Sequence, residues 1–308
     1  MYDVITIGSS LIDSFIKSKN FDFSNSENNV QICFSYGSKI DVEEYLLRTG
    51  GGGSNTAVGF SRMGYRTGII TEIGRDTFAK IILDDLKKEY VSTNLVISEK
   101  QEKTGGSIIL VGKDGGRTVM VHRGASAMLD PEDIPKETIS RADWIHLSSI
   151  SGRLNTLKYI FSVLKLANKK ISWNPGKKEL TLINENKLIF SDIPCELLFV
   201  NYEEWKLVEK YHQEIFANVK QIIVTNGKKG GKVYVEGQIN TEFISGEVES
   251  LDDTGAGDAL AVGYVTAYLK KKNIEECCQW GKRNAVSVIQ QVGAKPGLLT
   301  IDQIKVHN

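Results

Sequence analysis

Charge of one sign is missing: Lys and Arg total 38 and Asp and Glu total 38, so bulk electrostatics call neither for nucleic acid nor for an anionic membrane surface. Cysteine is scarce. The four (Cys33, Cys195, Cys277, Cys278) show neither C-x-x-C spacing nor a disulfide framework, and His122, His146, His212 and His307 are scattered, so no structural zinc site is expected. No segment approaches the roughly 18 uninterrupted apolar residues of a membrane span. The run from Met1 to Gly8 carries Asp3 and few apolar residues, unlike a signal peptide, and a cytoplasmic protein is expected. Also missing are the G-K-[ST] ending of a Walker loop and a dinucleotide fingerprint after the first strand. There is no internal repeat, low-complexity tract or linker.

What is present is a chain of 308 residues, 41% hydrophobic, long enough to bury a substantial core. Short apolar runs alternate with helical patterns. Val4-Ile5-Thr6-Ile7 ends at Gly8-Ser9-Ser10, Thr67 to Gly74 precedes a helix around Phe78 to Glu89, and Trp144 to Ser148 precedes one around Leu154 to Asn168. This alternation predicts an α/β fold with a mostly parallel central sheet and helices on both faces, which binds ligands at the carboxyl ends of its strands. Polar groups recur at such ends, in Ile171-Ser172-Trp173-Asn174 and in Leu197 to Val200 with Asn201-Tyr202-Glu203-Glu204 behind it.

Two stretches break the alternation. About 14–48 holds a polar segment and then Val30 to Tyr36, which alternates as a strand; about 104–123 reads as a hairpin around an Asp-Gly turn in Lys113 to Gly116. Together they predict a small β-sheet lid on a single domain, 1–308, although two decorative hairpins would look the same.

The stretch Leu251 to Asp258 runs into the nearly all-apolar Ala259 to Leu269. Small residues leave N–H groups uncovered where a helix begins, which makes an anion-binding turn with Asp258 in its first turn. Phosphoryl transfer to a hydroxyl needs charge stabilisation, a metal on the donor phosphates and a base for the attacking oxygen. The N–H groups of Gly255, Ala256 and Gly257 can supply the first and Asp258 the third. Upstream, Gly50 to Gly53 permits close backbone approach and Asn55 offers both donor and acceptor, unless the segment is a bare turn capped by Asn55. Asp13 either caps a local turn or accepts hydrogen bonds from a polyhydroxylated ligand. Lysines 228 and 229, after Thr225-Asn226-Gly227, either meet nucleotide phosphates or belong to a solvated hairpin.

With these motifs the chain resembles the PfkB family of carbohydrate kinases, the ribokinase-like superfamily, over essentially its whole length. Asp252 to Asp258 matches its C-terminal signature, Gly50 to Asn55 with the helix to Gly64 its N-terminal one, and Asn201 to Glu204 its Asn-x-x-Glu motif. The resemblance implies a ribokinase-like three-layer sandwich and an ATP-dependent sugar kinase using Mg2+. Asp258 is then the catalytic base, the 255–257 backbone the anion hole, Asn201 and Glu204 the organisers of magnesium and phosphates (Glu204 through water), and Thr225 and Gly227 part of the nucleotide loop. Asp13, Gly51 and Asn55 fall where members hold sugar hydroxyls. Asp252 and Thr254 fall where many bind a monovalent cation such as K+, with carbonyls near Ala285 and in Val292-Gly293-Ala294 as further ligands. A homodimer through the lid is implied as well.

Departures from the family pattern bear on the acceptor. Ser148 stands where ribokinases carry a glutamate, Gly52 where a lysine is common, and Arg123 with Ser126 is similar to the 2-keto-3-deoxygluconate kinases. An arginine there suits an acidic substrate's carboxylate, or faces solvent or a second subunit. Ribose- or fructose-like monosaccharides lead, with an acidic keto-sugar and an adenosine-type nucleoside as alternatives; a ring-stacking Phe34 or Tyr36 on the lid would favour the nucleoside. A sugar-binding sensor without catalysis is the non-kinase alternative.

Overall fold

The computed structural model describes residues 1–305 other than 27–28, 100, 113–116, 245, 247 and 249, so the expected Asp-Gly turn and His307 lie outside the described residues. The strands run in chain order as β1 (Val4–Ile7), β2 (Leu11–Lys17), β3 (Asp22–Ser26), β4 (Asn29–Cys33), β5 (Glu44–Gly50), β6 (Thr67–Ile73), β7 (Val96–Ser98) and β8 (Gly105–Val111). They continue as β9 (Arg117–His122), β10 (Trp144–Ser148), β11 (Ile171–Asn174), β12 (Cys195–Asn201), β13 (Gln221–Thr225), β14 (Gly231–Val235) and β15 (Gln238–Phe243).

Nine strands form one sheet in the order β15-β14-β13-β12-β11-β10-β1-β6-β7. From β13 to β7 every pairing is parallel, and β14 runs antiparallel to both of its neighbours. A sheet buried on both faces needs apolar residues at successive positions, which is why its strands read as nearly unbroken runs. In β12, Leu198 and Val200 enter one core and Leu197 and Phe199 the other. The first core is closed by Leu157 and Phe161 of helix Leu154–Leu166 and Leu180 of helix Lys177–Asn184. Phe60 of helix Gly52–Arg62, Tyr264 of helix Ala256–Leu269 and Trp280 of helix Ile274–Ile289 close the second. Helix Ala256–Leu269 is buried on all sides from Ala259 to Ala267, so it shows no amphipathic stripe. Its buried Tyr264 hydroxyl donates to Gln221 Oε1 at 2.9 Å.

A separate four-stranded sheet, β5-β2-β8-β9, draws on both stretches that broke the alternation. β2 pairs antiparallel with β5 and parallel with β8, and it begins at Leu11, ahead of the expected boundary near 14. Asp13 therefore lies inside a strand and does not cap a turn. The strand expected within Val30 to Tyr36 is β4, which pairs only with β3 as an isolated hairpin. Where β8 leaves the body, the Asp76 carboxylate accepts both from Thr104 Oγ1 at 2.7 Å and from Ala79 N at 2.9 Å, tying the small sheet's root to helix Thr77–Lys88. Among the described residues no helix is long and apolar enough to cross a membrane.

Candidate active site

The carboxyl ends of the parallel strands make a polar rim. Register places Ser148 beside Asn174 and Asn201 beside Thr225, so four polar residues from β10 to β13 stand along one edge of the sheet. Helix Gly52–Arg62 is drawn onto this rim: Thr6 Oγ1 on β1 donates to the Gly53 carbonyl at 3.1 Å, and the Ser54 N–H donates to the Ser9 carbonyl at 3.2 Å. Its N-cap, Gly51, has φ 95, and a Cβ there would stand 2.5 Å from the Ser9 carbonyl oxygen, so only glycine makes this turn.

On one side of the rim the small sheet and the glycine turn enclose a cleft of about 460 Å3. Asp13, Gly51, Asn55, Arg123, Ser148 and Asp258 all line it. Asp13 is 6% exposed and accepts a short hydrogen bond from Ser107 Oγ of β8. Burial pushes its carboxyl above the ordinary aspartate range, and the Ser107 bond opposes that shift. Asn55 donates from Nδ2 to Asp258 Oδ2 at 2.9 Å. Among the described residues, Asn55 Oδ1 and Ser148 Oγ are buried without a hydrogen-bond partner. Orphaned polar atoms on a cleft wall are what a polyhydroxylated ligand would satisfy.

Asp258 lies at the end of this cleft, in the first turn of helix Ala256–Leu269, whose N-cap Gly255 is left-handed at φ 80. Helical side chains lean toward the N-terminus, which carries the carboxylate over the turn whose N–H groups lack intrahelical acceptors. Burial raises the Asp258 carboxyl above its usual range, and the Asn55 hydrogen bond pulls it back. Within the turn Ala256 differs from its neighbours, because its N–H points back to the Asp253 carbonyl at 3.3 Å. Asp252 and Thr254 lie just upstream and are bonded to each other, Thr254 Oγ1 donating to Asp252 Oδ1 at 2.6 Å.

Beyond Asp258 a cavity of about 220 Å3, lined by Asn174, Asn201, Glu204, Thr225, Gly255, Gly257 and Asp258, opens into a third of about 340 Å3. The third is apolar on one wall, with Phe243, Val248, Ala285, Val286 and Ile289, and basic at Lys228 and Lys282; Thr225 and Gly227 line it too. Asn201 and Glu204 form a reciprocal capping box on the short helix Tyr202–Leu207, with Asn201 Oδ1 accepting from Glu204 N and Glu204 Oε2 from Asn201 N, both at 2.9 Å. Burial raises the Glu204 carboxyl, against the Asn201 N–H. Among the described residues no cluster of three or more His, Cys, Asp or Glu is built to hold a metal. A magnesium ion keeps most of its waters and needs only one or two carboxylates beside substrate phosphates, and Glu204 brings a carboxylate to the lining of this cavity.

Apart from Asp252, the predicted site residues thus line one run of cavities, with corrections. Phe34 packs edge-on against Phe21 and Tyr36 is fully exposed, so neither lines the cleft. Ser126 donates to the Arg123 carbonyl at 2.6 Å and is buried, a local structural bond. Sequence reasoning missed Ser107, Arg117, Asn174 and Asp253, all of which line these cavities. Asn174 had a signal in its polar strand end; Ser107 and Arg117, on lid strands, had none.

Comparison with known proteins agrees with this arrangement. Residues 3–301 match the profile described as pfkB family carbohydrate kinase. A ribokinase of Staphylococcus aureus (strain COL) is 26% identical over 98% of both chains. A nucleoside kinase of Methanothermobacter thermautotrophicus is 24% identical over 81% of both. The fold is shared with the crystal structure of a putative ribokinase II from E. coli in complex with ATP and Mg2+, at a TM-score of 0.79 and 18% identity, covering 99% of this chain and 98% of that one. With its glycine turn, its Asn-x-x-Glu cap and its Gly-Ala-Gly-Asp helix start on one rim, the chain belongs to the pfkB family of carbohydrate kinases.

Proposed function

We propose that this kinase transfers the γ-phosphoryl group of ATP to a hydroxyl of a ribose- or fructose-like monosaccharide, with Asp258 as the base. One observation carries the reading: two clefts of different chemistry, one polar and one apolar with lysines, meet through a third cavity whose lining includes Gly255, Gly257 and Asp258. Two substrates entering from opposite ends would bring their reacting groups to that junction, as in-line transfer requires. The E. coli neighbour's complex with ATP and Mg2+ supports the donor.

At the acceptor end Asp13 accepts a sugar hydroxyl, the Asn55 side chain offers its free oxygen to a second, and the Gly51 turn allows the ring to approach the backbone. Asp258 takes the proton of the attacking hydroxyl, and its raised pKa makes it a stronger base than an exposed aspartate. The first-turn N–H groups of Gly255 and Gly257 meet the charge of the phosphoryl in transit, while that of Ala256 is turned to the Asp253 carbonyl. Asn201 and Glu204 orient the donor phosphates, with Thr225 and Gly227 beneath them. Glu204 would hold a magnesium ion, which would supply charge neutralisation on those phosphates.

A monosaccharide is favoured over a nucleoside because the wall that the small sheet gives the acceptor cleft is aliphatic, with Ile109, Val119 and Val121, and among the described residues no aromatic ring lines it for a base to stack on. Arg123 in the same lining favours an acidic keto-sugar as the second reading. The small sheet also exposes Leu47, Ile108 and Met120, which register places in one row on one face with Ser14 between Leu47 and Ile108, and β9 lies at an edge; this supports a homodimer through the lid. A coupled assay of ATP consumption across neutral sugars, acidic sugars and nucleosides tests the reading. Turnover with a neutral pentose or hexose is expected, whereas tight sugar binding with no turnover on any acceptor would leave a sensor.

A further inference from the structure

Two arginines from the small sheet reach the loop that carries the anion-binding turn and the 292–293 segment packed against it. Arg117, the first residue of β9, donates from Nη1 to Asp252 Oδ1 in an ion pair and to Thr254 Oγ1 at 2.9 Å. Asp252 is 8% exposed, and its oxygens are occupied by donors: Oδ1 also accepts from Thr254 N at 3.0 Å and Oδ2 accepts from Gly293 N at 2.9 Å. Arg48, on β5, donates from Nε to the Val292 carbonyl at 3.4 Å. Its aliphatic stem also lies so close to Gly293 that a Cβ there would stand 3.0 Å from Arg48 Cγ. The two insertions that build the sheet thus each send one arginine to the same place, one to the carboxylate and one to the following carbonyls.

Asp252, Thr254 and the Val292 carbonyl are among the groups that would serve a monovalent cation, and as they are engaged here these three do not fit one. A bare cation needs several oxygens with lone pairs turned to a common point. Here the one carboxylate points its lone pairs at N–H and O–H donors, and Val292 turns its carbonyl to a guanidinium. A guanidinium is permanently charged, and its planar fork suits a carboxylate.

We infer that Arg117, backed by Arg48, takes the place of the activating monovalent cation in this kinase. The positive charge beside the anion-binding turn is then covalently part of the protein. It is independent of K+ and depends instead on the position of the small sheet. Movement of β9 away from the body would strip the charge from Asp252 and leave a buried carboxylate unpaired two residues from the 254–255 backbone that begins the turn. Arg117 acts here through Asp252 as a positioning residue.

The test compares wild type, Arg117→Ala and Arg117→Lys in potassium chloride and in tetramethylammonium chloride at equal ionic strength, reading both turnover and thermal unfolding. The unfolding arm does not depend on the kinase reading, because a cation that binds the folded state raises Tm whether or not the enzyme turns over. Wild type is expected to show the same Tm and a rate within about twofold in both salts. Arg117→Ala is expected to lose turnover by about tenfold in tetramethylammonium. Potassium then restores at least part of that loss and raises the Tm of this variant alone, while Arg117→Lys stays close to wild type. A wild-type enzyme that needs potassium in both readouts overturns the inference. So does an Arg117→Ala variant whose loss potassium neither relieves nor answers with a Tm shift, because the guanidinium would then hold the sheet without standing for a cation.

Discussion

Asp258 and Asn55 oppose one another over a single proton: burial raises the Asp258 carboxyl, and the Asn55 amide, donating at 2.9 Å, favours the charged form. Removing the amide with Asn55→Ala should therefore shift the acid limb of the pH–rate profile to higher pH and lower kcat/KM by about 10- to 100-fold, the range for a hydrogen bond to a charged group. An unmoved limb would show that Asn55 does not tune the base. The same carboxylate burdens the fold. A folded pKa above the unfolded value of 3.8 contributes stability that is present below 3.8 and is lost as pH rises through the folded value. Asp258→Asn should thus unfold at a higher temperature than wild type at pH 7.5, with the difference fading toward pH 3.8 in scanning calorimetry.

At the scale of elements, the proposed chemistry rests on helix starts, whose motifs were legible but whose geometry was not. Helix Gly52–Arg62 begins inside the glycine run, where propensity argues against helix; contacts of Thr6 and Ser9 with its first turn override that preference. Asn201 to Glu204 was legible as a motif, yet its reciprocal capping box shows that the same four residues also build the helix that presents them. Gly255 is the clearest dependency. Its φ is 80, and a Cβ there would overlap the Ala294 side chain. Gly255→Ala should cost about 2 kcal/mol in urea unfolding from left-handed strain and crowding together, and it should lower kcat by displacing the turn. A variant as stable and active as wild type would show that the Ala294 loop gives way freely.

For the whole molecule, the parallel sheet was legible because burial on both faces leaves apolar runs that end in polar residues, as at Ser148, Asn174 and Asn201. The small sheet was legible as a product of the two interruptions, but its strand pairing was not, since the partnership of β2 with β8 joins residues far apart in the chain and leaves no local pattern. Arg117 was invisible for the same reason: its partner Asp252 is distant in sequence. Charge distant from the site also shapes stability. Glu72 on β6 is buried, and burial, a hydrogen bond with Glu99 and the nearby Asp133 and Asp130 push its carboxyl up to about 8. Its contribution is fully present below 4.5 and is lost as pH rises through about 8, so wild-type stability should decline over that window. Glu72→Gln should flatten the decline, raising Tm at pH 9 more than at pH 5.5; equal shifts at both would mean that the carboxyl stays charged throughout.

The central claim is that Asp258 removes the acceptor's proton at the junction of the two clefts, and single-turnover phosphoryl transfer by Asp258→Asn at saturating ATP and acceptor tests it most directly. The account predicts a rate lower by about 10²- to 10⁴-fold, the usual contribution of a positioned base, with binding of both substrates by calorimetry unchanged within a few-fold. A transfer rate close to wild type with both substrates bound would contradict it.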